Sequence, residues 1–177
     1  NPGTVAGEYV YNHPCAMYNE ADFTRVKKML DDGTAPVMVK TELANLKNSP
    51  YTSLTYTPSP QEEIVRGEAT GTIPGKENYS YAMKDAAAAY QTALLWKLTG
   101  DVKYADLSVK ILNAWADVCK RITSNDANQM LAAGCQGYTF ANAAEIMQTY
   151  EGWSANDIAD FKTWIVNVFA SKNKDFL

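Results

Sequence analysis

Histidine is almost absent from this chain: His13 is the single one in 177 residues. A Ser-His-Asp relay or a histidine-rich metal site would have to use it. It stands in an irregular stretch beside Pro14, without motif partners, so it reads as a structural residue. HExxH, P-loop and GxGxxG patterns are all missing. Gly71-Thr72-Ile73-Pro74-Gly75 is turn-rich but lacks the Lys and helix start of a nucleotide loop. Cysteine is scarce too. Cys15, Cys119 and Cys135 form an odd set with no CxxC pair, which excludes the paired-cysteine zinc motifs. Buried free thiols are the expectation, with Cys119 on an apolar helical face; a single disulfide is the alternative if the protein is exported. Arginine is rarer than lysine, three against thirteen, and only Arg66 of the three falls in a long loop. No apolar run reaches the roughly 20 residues that cross a bilayer. A net charge of -4 argues against a nucleic-acid partner, which needs a cationic face. It leaves room for an anionic sugar, because a cleft needs only a few well-placed cations.

What is present is a globular composition, 46% hydrophobic and 11% aromatic, in a chain of single-domain size. The opening Asn-Pro-Gly fits a mature exported protein whose signal was removed, or a trimmed chain. Helical spacing then begins. Residues 20–30 carry Phe23, Val26 and Leu30 on one face, with Asn19 as N-cap and Gly33 as stop. A second helix is predicted over 35–46, with Pro36 in its first turn. Residues 48–78 hold Pro50, Pro58, Pro60, Gly67, Gly71, Pro74 and Gly75, which exclude a continuous helix. A loop this long in a compact domain is usually functional or disordered.

The strongest pattern is Ser80–Thr99, a turn at Thr99-Gly100-Asp101, and a second run through Tyr104, Leu107, Ile111, Leu112, Trp115, Cys119 and Ile122. Its Ala86–Ala89 stretch permits close packing. Further on, a short helical turn is predicted over 129–133 and a helix over 138–150. A last helix begins at Ser154 and carries Ile158, Phe161, Ile165 and Val168. Short connections between successive helices imply antiparallel hairpins. The chain stops on an apolar pair, Phe176-Leu177, with no polar cap. A stack ending there would expose a packing face, so a piece of a longer protein is expected.

Paired carboxylates could hydrolyse a glycosidic bond, and Glu62, Glu63, Glu68, Asp85 and Glu145 are formal candidates. Spacing alone places no two of them in one cleft. Aromatic rings say more, since sugar clefts set ring faces against C–H faces. Tyr79 and Tyr81 border the long loop, and Tyr138 follows Cys135-Gln136-Gly137 at a predicted helix entrance. Trp96 and Trp115 lie inside helical patterns and read as core.

Lys84-Asp85-Ala86, Tyr90, Ala93-Leu94, Thr99-Gly100-Asp101, Tyr104-Ala105 and Ile111-Leu112-Asn113-Ala114-Trp115 together resemble the alginate-lyase-like polysaccharide lyases. His13-Pro14 before a helix and Ala143-Ala144-Glu145-Ile146-Met147 are similar too, so the resemblance spans roughly residues 13 to 170. It implies an all-α domain over residues 1–177, built of antiparallel hairpins of a partial α/α toroid and forming the N-terminal part of a longer catalytic domain. It implies cleavage of a 4-linked uronic acid polymer by β-elimination in a bacterial, periplasmic or secreted enzyme. That reaction neutralises the C6 carboxylate, removes the C5 proton with a base and protonates the leaving O4 with an acid. The His and Tyr of those steps come from helices beyond the matched portion, so no catalytic residue is carried over. The substrate-binding candidates are Arg66, Asn78, Tyr79, Tyr81, Gln136 and Tyr138. Arg66 sits in a loop that resembles the family's lid. The motifs demand no metal or other cofactor, and the partner is an acidic polysaccharide. The rival reading is a non-catalytic helical-repeat module that binds glycan or protein and leaves the polymer intact.

Overall fold

A computed structural model describes residues 11–67, 77–124 and 127–176. Among the described residues, seven α-helices carry the fold: α1 Glu20–Asp31, α2 Val37–Lys47, α3 Tyr79–Thr99, α4 Val102–Val118, α5 Asn128–Met147, α6 Ala155–Ile165 and α7 Ser171–Phe176. Two three-residue strands, β1 Glu63–Val65 and β2 Arg121–Thr123, pair in parallel with Ile64 opposite Ile122. The protein is therefore essentially all-α, as expected.

Local chemistry sets most helix ends. Asn19 accepts from the Asp22 amide while Asp22 reaches back to the Asn19 amide, a reciprocal box that starts α1. Ser154 and Asp101 cap α6 and α4 through the amides of Asp157 and Lys103. Gly100 ends α3 at φ 76, where a side chain would be strained. Helix α2 starts at Val37, so Pro36, expected in the first turn, serves as its N-cap.

Helix α3 is the centre of the molecule, packed between α4 and α5. Its small residues Ala82, Ala86, Ala88, Ala89 and Ala93 are at most 1% exposed, and that smallness brings neighbouring backbones close. Ser108 of α4 accordingly donates to the Ala89 carbonyl at 2.8 Å. Larger side chains fill the space beyond. Trp115 meets Phe140 at 5.6 Å, Phe140 meets Trp164 at 5.4 Å, and Trp164 meets Phe169 at 5.0 Å between ring centroids. Burying each such ring contributes on the order of 2–3 kcal/mol. Trp115 is core, as predicted, whereas Trp96 is half-buried at the edge against Tyr150.

The structure departs from the sequence reading in four places. First, α4 stops at Val118, and Ile122 lies on β2 instead of continuing the helix. The apolar spacing persisted across the boundary because a strand residue can face the same core. Second, the two predicted pieces at 129–133 and 138–150 are one helix, α5, which runs unbroken through Gly134 and Gly137. Gly137 is not a breaker here. A Cβ at that position would come within 2.9 Å of the Phe169 Cβ and ring, so the glycine makes room for a core aromatic. Gly137→Ala gains helix propensity of about 1 kcal/mol but overpacks at a cost of roughly 1–3 kcal/mol. A net loss of about 1 kcal/mol in urea unfolding is expected, and a stabilised variant would contradict the packing argument. Third, the last helix does not finish near Val168. A π-turn at Val166–Ala170 carries it into α7, and Val168 and Phe169 are buried there. Fourth, only Cys119 of the three free thiols is buried; Cys15 and Cys135 are exposed. Burial pushes the Cys119 thiol up to about 11, so it stays protonated and inert. No helix among the described residues is long and apolar enough to cross a membrane.

Candidate functional site

The long segment before α3 is anchored by one side chain. Asn78 accepts from the Val65 amide at 2.7 Å and donates to the Glu63 carbonyl at 2.9 Å, while its own amide reaches the Val65 carbonyl at 3.1 Å. An asparagine suits this role because one amide supplies both a donor and an acceptor. Asn78 is thus buried, with both ends of its side chain bound to β1. Beneath it, the buried Glu63 carboxylate takes Arg121 Nε at 3.0 Å and Thr123 Oγ1 at 2.5 Å, tying β1 to β2. The buried carboxylate is paired, as burial of a charge requires.

This junction sets Arg66 at the end of β1 beside the start of α3. The Arg66 guanidinium lies 4.5 Å from the Tyr79 ring centroid. The Arg66 amide donates to Thr123 and the Gly67 amide to the Glu77 carboxylate, so the backbone on both sides of the guanidinium is held. A cation thus stacks on an aromatic face at a strand end beside a helix start. Tyr81, two residues into α3 and on the other side of the helix from Tyr79, is 43% exposed. Glu68 and residues up to 76 lie outside the described residues.

Gln136 and Tyr138 are elsewhere. Because α5 begins at Asn128, they stand two to three turns inside it and not at a helix entrance. Gln136 is buried, and its Oε1 has no hydrogen-bond partner among the described residues. Tyr138 is 57% exposed, and its hydroxyl meets the Met17 sulfur, which also lies against the Tyr90 hydroxyl. The structure therefore joins Arg66, Asn78 and Tyr79 at one junction and puts Tyr138 in a second, tyrosine-lined patch.

Among the tyrosines, Tyr56, Tyr90 and Tyr150 all have phenols pushed upward. Burial leads for Tyr56 and Tyr90, helped by Asp85 for the first and by Tyr18 and Tyr138 for the second; a hydrogen bond to Asp106 leads for Tyr150. Such groups hold their protons at neutral pH and can donate but not abstract. A phenol whose folded value is raised stabilises the fold below the unfolded value and loses that contribution as pH climbs through the folded one. Stability should fall as pH rises above about 10, the ordinary tyrosine value. A circular-dichroism melt followed against tyrosinate absorbance checks this; a flat profile through that range would refute it.

Three of the five formal candidates for hydrolysis, Asp85, Glu63 and Glu145, are held in separate networks. Asp85, 1% exposed, accepts from Tyr56 Oη at 2.5 Å, the Ser59 amide at 2.7 Å and Trp115 Nε1 at 2.7 Å. Glu63 is paired as above, and Glu62 is exposed. Glu145 binds His13 Nδ1 at 2.6 Å and the Cys15 amide at 2.8 Å through one oxygen, and Gln148 Nε2 at 3.0 Å through the other. Burial is the largest influence on the Glu145 carboxyl and would raise it, but the bonds from His13 and Cys15 together outweigh it and hold it below the ordinary range. Sequence reasoning missed this grouping, since more than 130 residues separate its two halves.

No curated protein and no solved structure matches the chain. A family model described as alginate lyase does match, over residues 37–173, taking in β1, β2 and every helix from α2 through α6. With that match covering most of its length, the chain belongs to the alginate lyase family, a family of polysaccharide lyases.

Proposed function

We propose that this protein takes part in β-elimination on a 4-linked uronic acid polymer, with the Arg66–Tyr79 platform holding a uronate residue. The observation that carries the reading is the guanidinium stacked 4.5 Å from the Tyr79 centroid on a doubly anchored backbone. Arginine presents a planar fork that matches a carboxylate, and the ring beneath it holds that fork in orientation. Neutralising the C6 carboxylate acidifies the C5 proton, which is the hard step of the reaction. Tyr81, 43% exposed two residues further along α3, offers a second ring on the solvent side. Tyr138, exposed on α5, belongs to a more distant part of the polymer path.

Helix order supports a toroid-like arrangement. Trp115 bonds Asp85 and Ser108 bonds Ala89, so α3 and α4 run in opposite senses as a hairpin. Tyr90 and Tyr138 share Met17, and Trp96 stacks on Tyr150, so α3 and α5 run in the same sense. Alternation of this kind sets α3 and α5 side by side in one layer with α4 behind. The base and acid of the reaction lie on other helices of a longer catalytic domain, and the setting is periplasmic or secreted.

The test is ultraviolet absorbance of unsaturated uronate during incubation of the full gene product with alginate and with polyglucuronate. A rise on one polymer establishes elimination and identifies the substrate class. A folded protein that binds either polymer without any rise would replace the reading with a glycan-binding module.

A further inference from the structure

His13, Cys15 and Glu145 converge from opposite ends of the sequence, and each offers a ligand atom within 4.8 Å of the others. We propose that they form a binding site for a thiophilic divalent cation, zinc in the first place, that staples residues 11–19 to α5.

The donor set is one imidazole nitrogen, one thiolate and one carboxylate oxygen, the mixture that borderline-soft zinc prefers and calcium or magnesium does not. Tetrahedral zinc at about 2.0–2.3 Å from its ligands sets them about 3.3–3.7 Å apart. The present grouping needs only small side-chain rotations to reach that spacing: the 2.6 Å His13–Glu145 bond opens and the thiol swings inward. His13 and Cys15 lie in an exposed stretch of chain, so those rotations meet little resistance. Charge also closes. Binding replaces the proton on Cys15 Sγ, which passes to solvent, and the deprotonated thiol plus the Glu145 carboxylate balance the two positive charges of the ion. Gln148 holds the second Glu145 oxygen at 3.0 Å, the kind of outer partner that orients a carboxylate ligand. The fourth position opens on a cavity of about 250 Å³ lined by Trp153, Phe161 and Lys162, with room for a water. In structural terms, the ion would fix the stretch that carries Met17 across Tyr90 and Tyr138.

Cobalt(II) is the probe, because a thiolate ligand gives it an intense near-ultraviolet charge-transfer band that nitrogen and oxygen ligands do not. The reduced, metal-stripped full chain is titrated with cobalt and then competed with zinc. One equivalent should develop the band, and zinc should abolish it. Cys15→Ser should lose the band and weaken binding at least tenfold, Glu145→Gln should weaken it about tenfold, and Cys135→Ser should leave both unchanged. Zinc should raise the melting temperature of the parent chain and not of Cys15→Ser, whose exposed position spares the fold. Absence of the band with cobalt in excess, or a band that survives Cys15→Ser, would overturn the proposal. These readouts involve no polymer, so they succeed or fail independently of the lyase reading.

Discussion

Arg66→Ala should lower kcat/KM on the cleaved polyuronate by roughly 10- to 100-fold. A charge-assisted hydrogen bond contributes about 1.5–3 kcal/mol, and each 1.4 kcal/mol is a factor of ten in rate. The loss should fall on kcat more than on KM, because charge on the substrate carboxylate builds as the C5 proton leaves, and a contact that strengthens in the transition state acts there. Arg66→Lys keeps the charge but not the planar fork or its stacking on Tyr79, so it should fall between the two. Tyr79→Leu separates the ring from the charge: it leaves Arg66 without its platform and should raise KM with a smaller change in kcat. The fold is spared in both Arg66 variants, because the Arg66 backbone amide, and not its side chain, bonds Thr123. Initial rates across substrate concentration decide the matter. Unchanged binding and turnover in Arg66→Ala would remove this residue from the cleft.

Asp85→Ala should be the most destabilising single change, at about 3–5 kcal/mol. The carboxylate is almost fully buried and collects three donors, from Tyr56, Ser59 and Trp115, each within 2.7 Å. Truncation leaves all three without an acceptor in a dry interior. Each orphaned group costs about 1–3 kcal/mol, less what local relaxation recovers. Set against a total stability on the order of 5–15 kcal/mol, that is a large share. The damage would also spread, because Asp85 joins three stretches of chain: the loop before β1, the centre of α3 and the end of α4. Asp85→Asn keeps the shape and one acceptor oxygen but turns a donor toward a donor, so about half the penalty is expected. Urea midpoints with unchanged slope would measure both, and a cost below about 1 kcal/mol for the alanine variant would show that the donors find other partners.

Asp85 also shows where reading the sequence reached its end. It was legible as a carboxylate in an aromatic-rich helix and therefore as a formal catalyst. Only the packing of α4 and the folded-back loop made it the hub of a buried network. The same limit applies at Asn78. Its residue type suits a sugar cleft, but the amide is taken up by β1, a strand of three residues too short to leave a period-two signal. The pieces predicted over 129–133 and 138–150 are one helix, and the glycine at 137 between them is required by Phe169, thirty-two positions later.

By itself the sequence determined that the chain is mainly helical, several of the helix caps and the family resemblance. Asn19, Gly100, Asp101 and Ser154 act through neighbours within a few residues, and apolar spacing of three and four residues is a local property of one helix. The hairpin motif around Thr99-Gly100-Asp101 is contiguous too, so the family resemblance could be read directly and the match over 37–173 agrees with it. The tertiary structure alone decided which groups meet: Arg66 with Tyr79, Asp85 with Trp115, and His13 and Cys15 with Glu145. The reason is physical. Caps and stripes are fixed by bonds a few residues long, whereas these encounters depend on how whole helices pack, and no local pattern records which side chains that packing will bring within 3 to 5 Å.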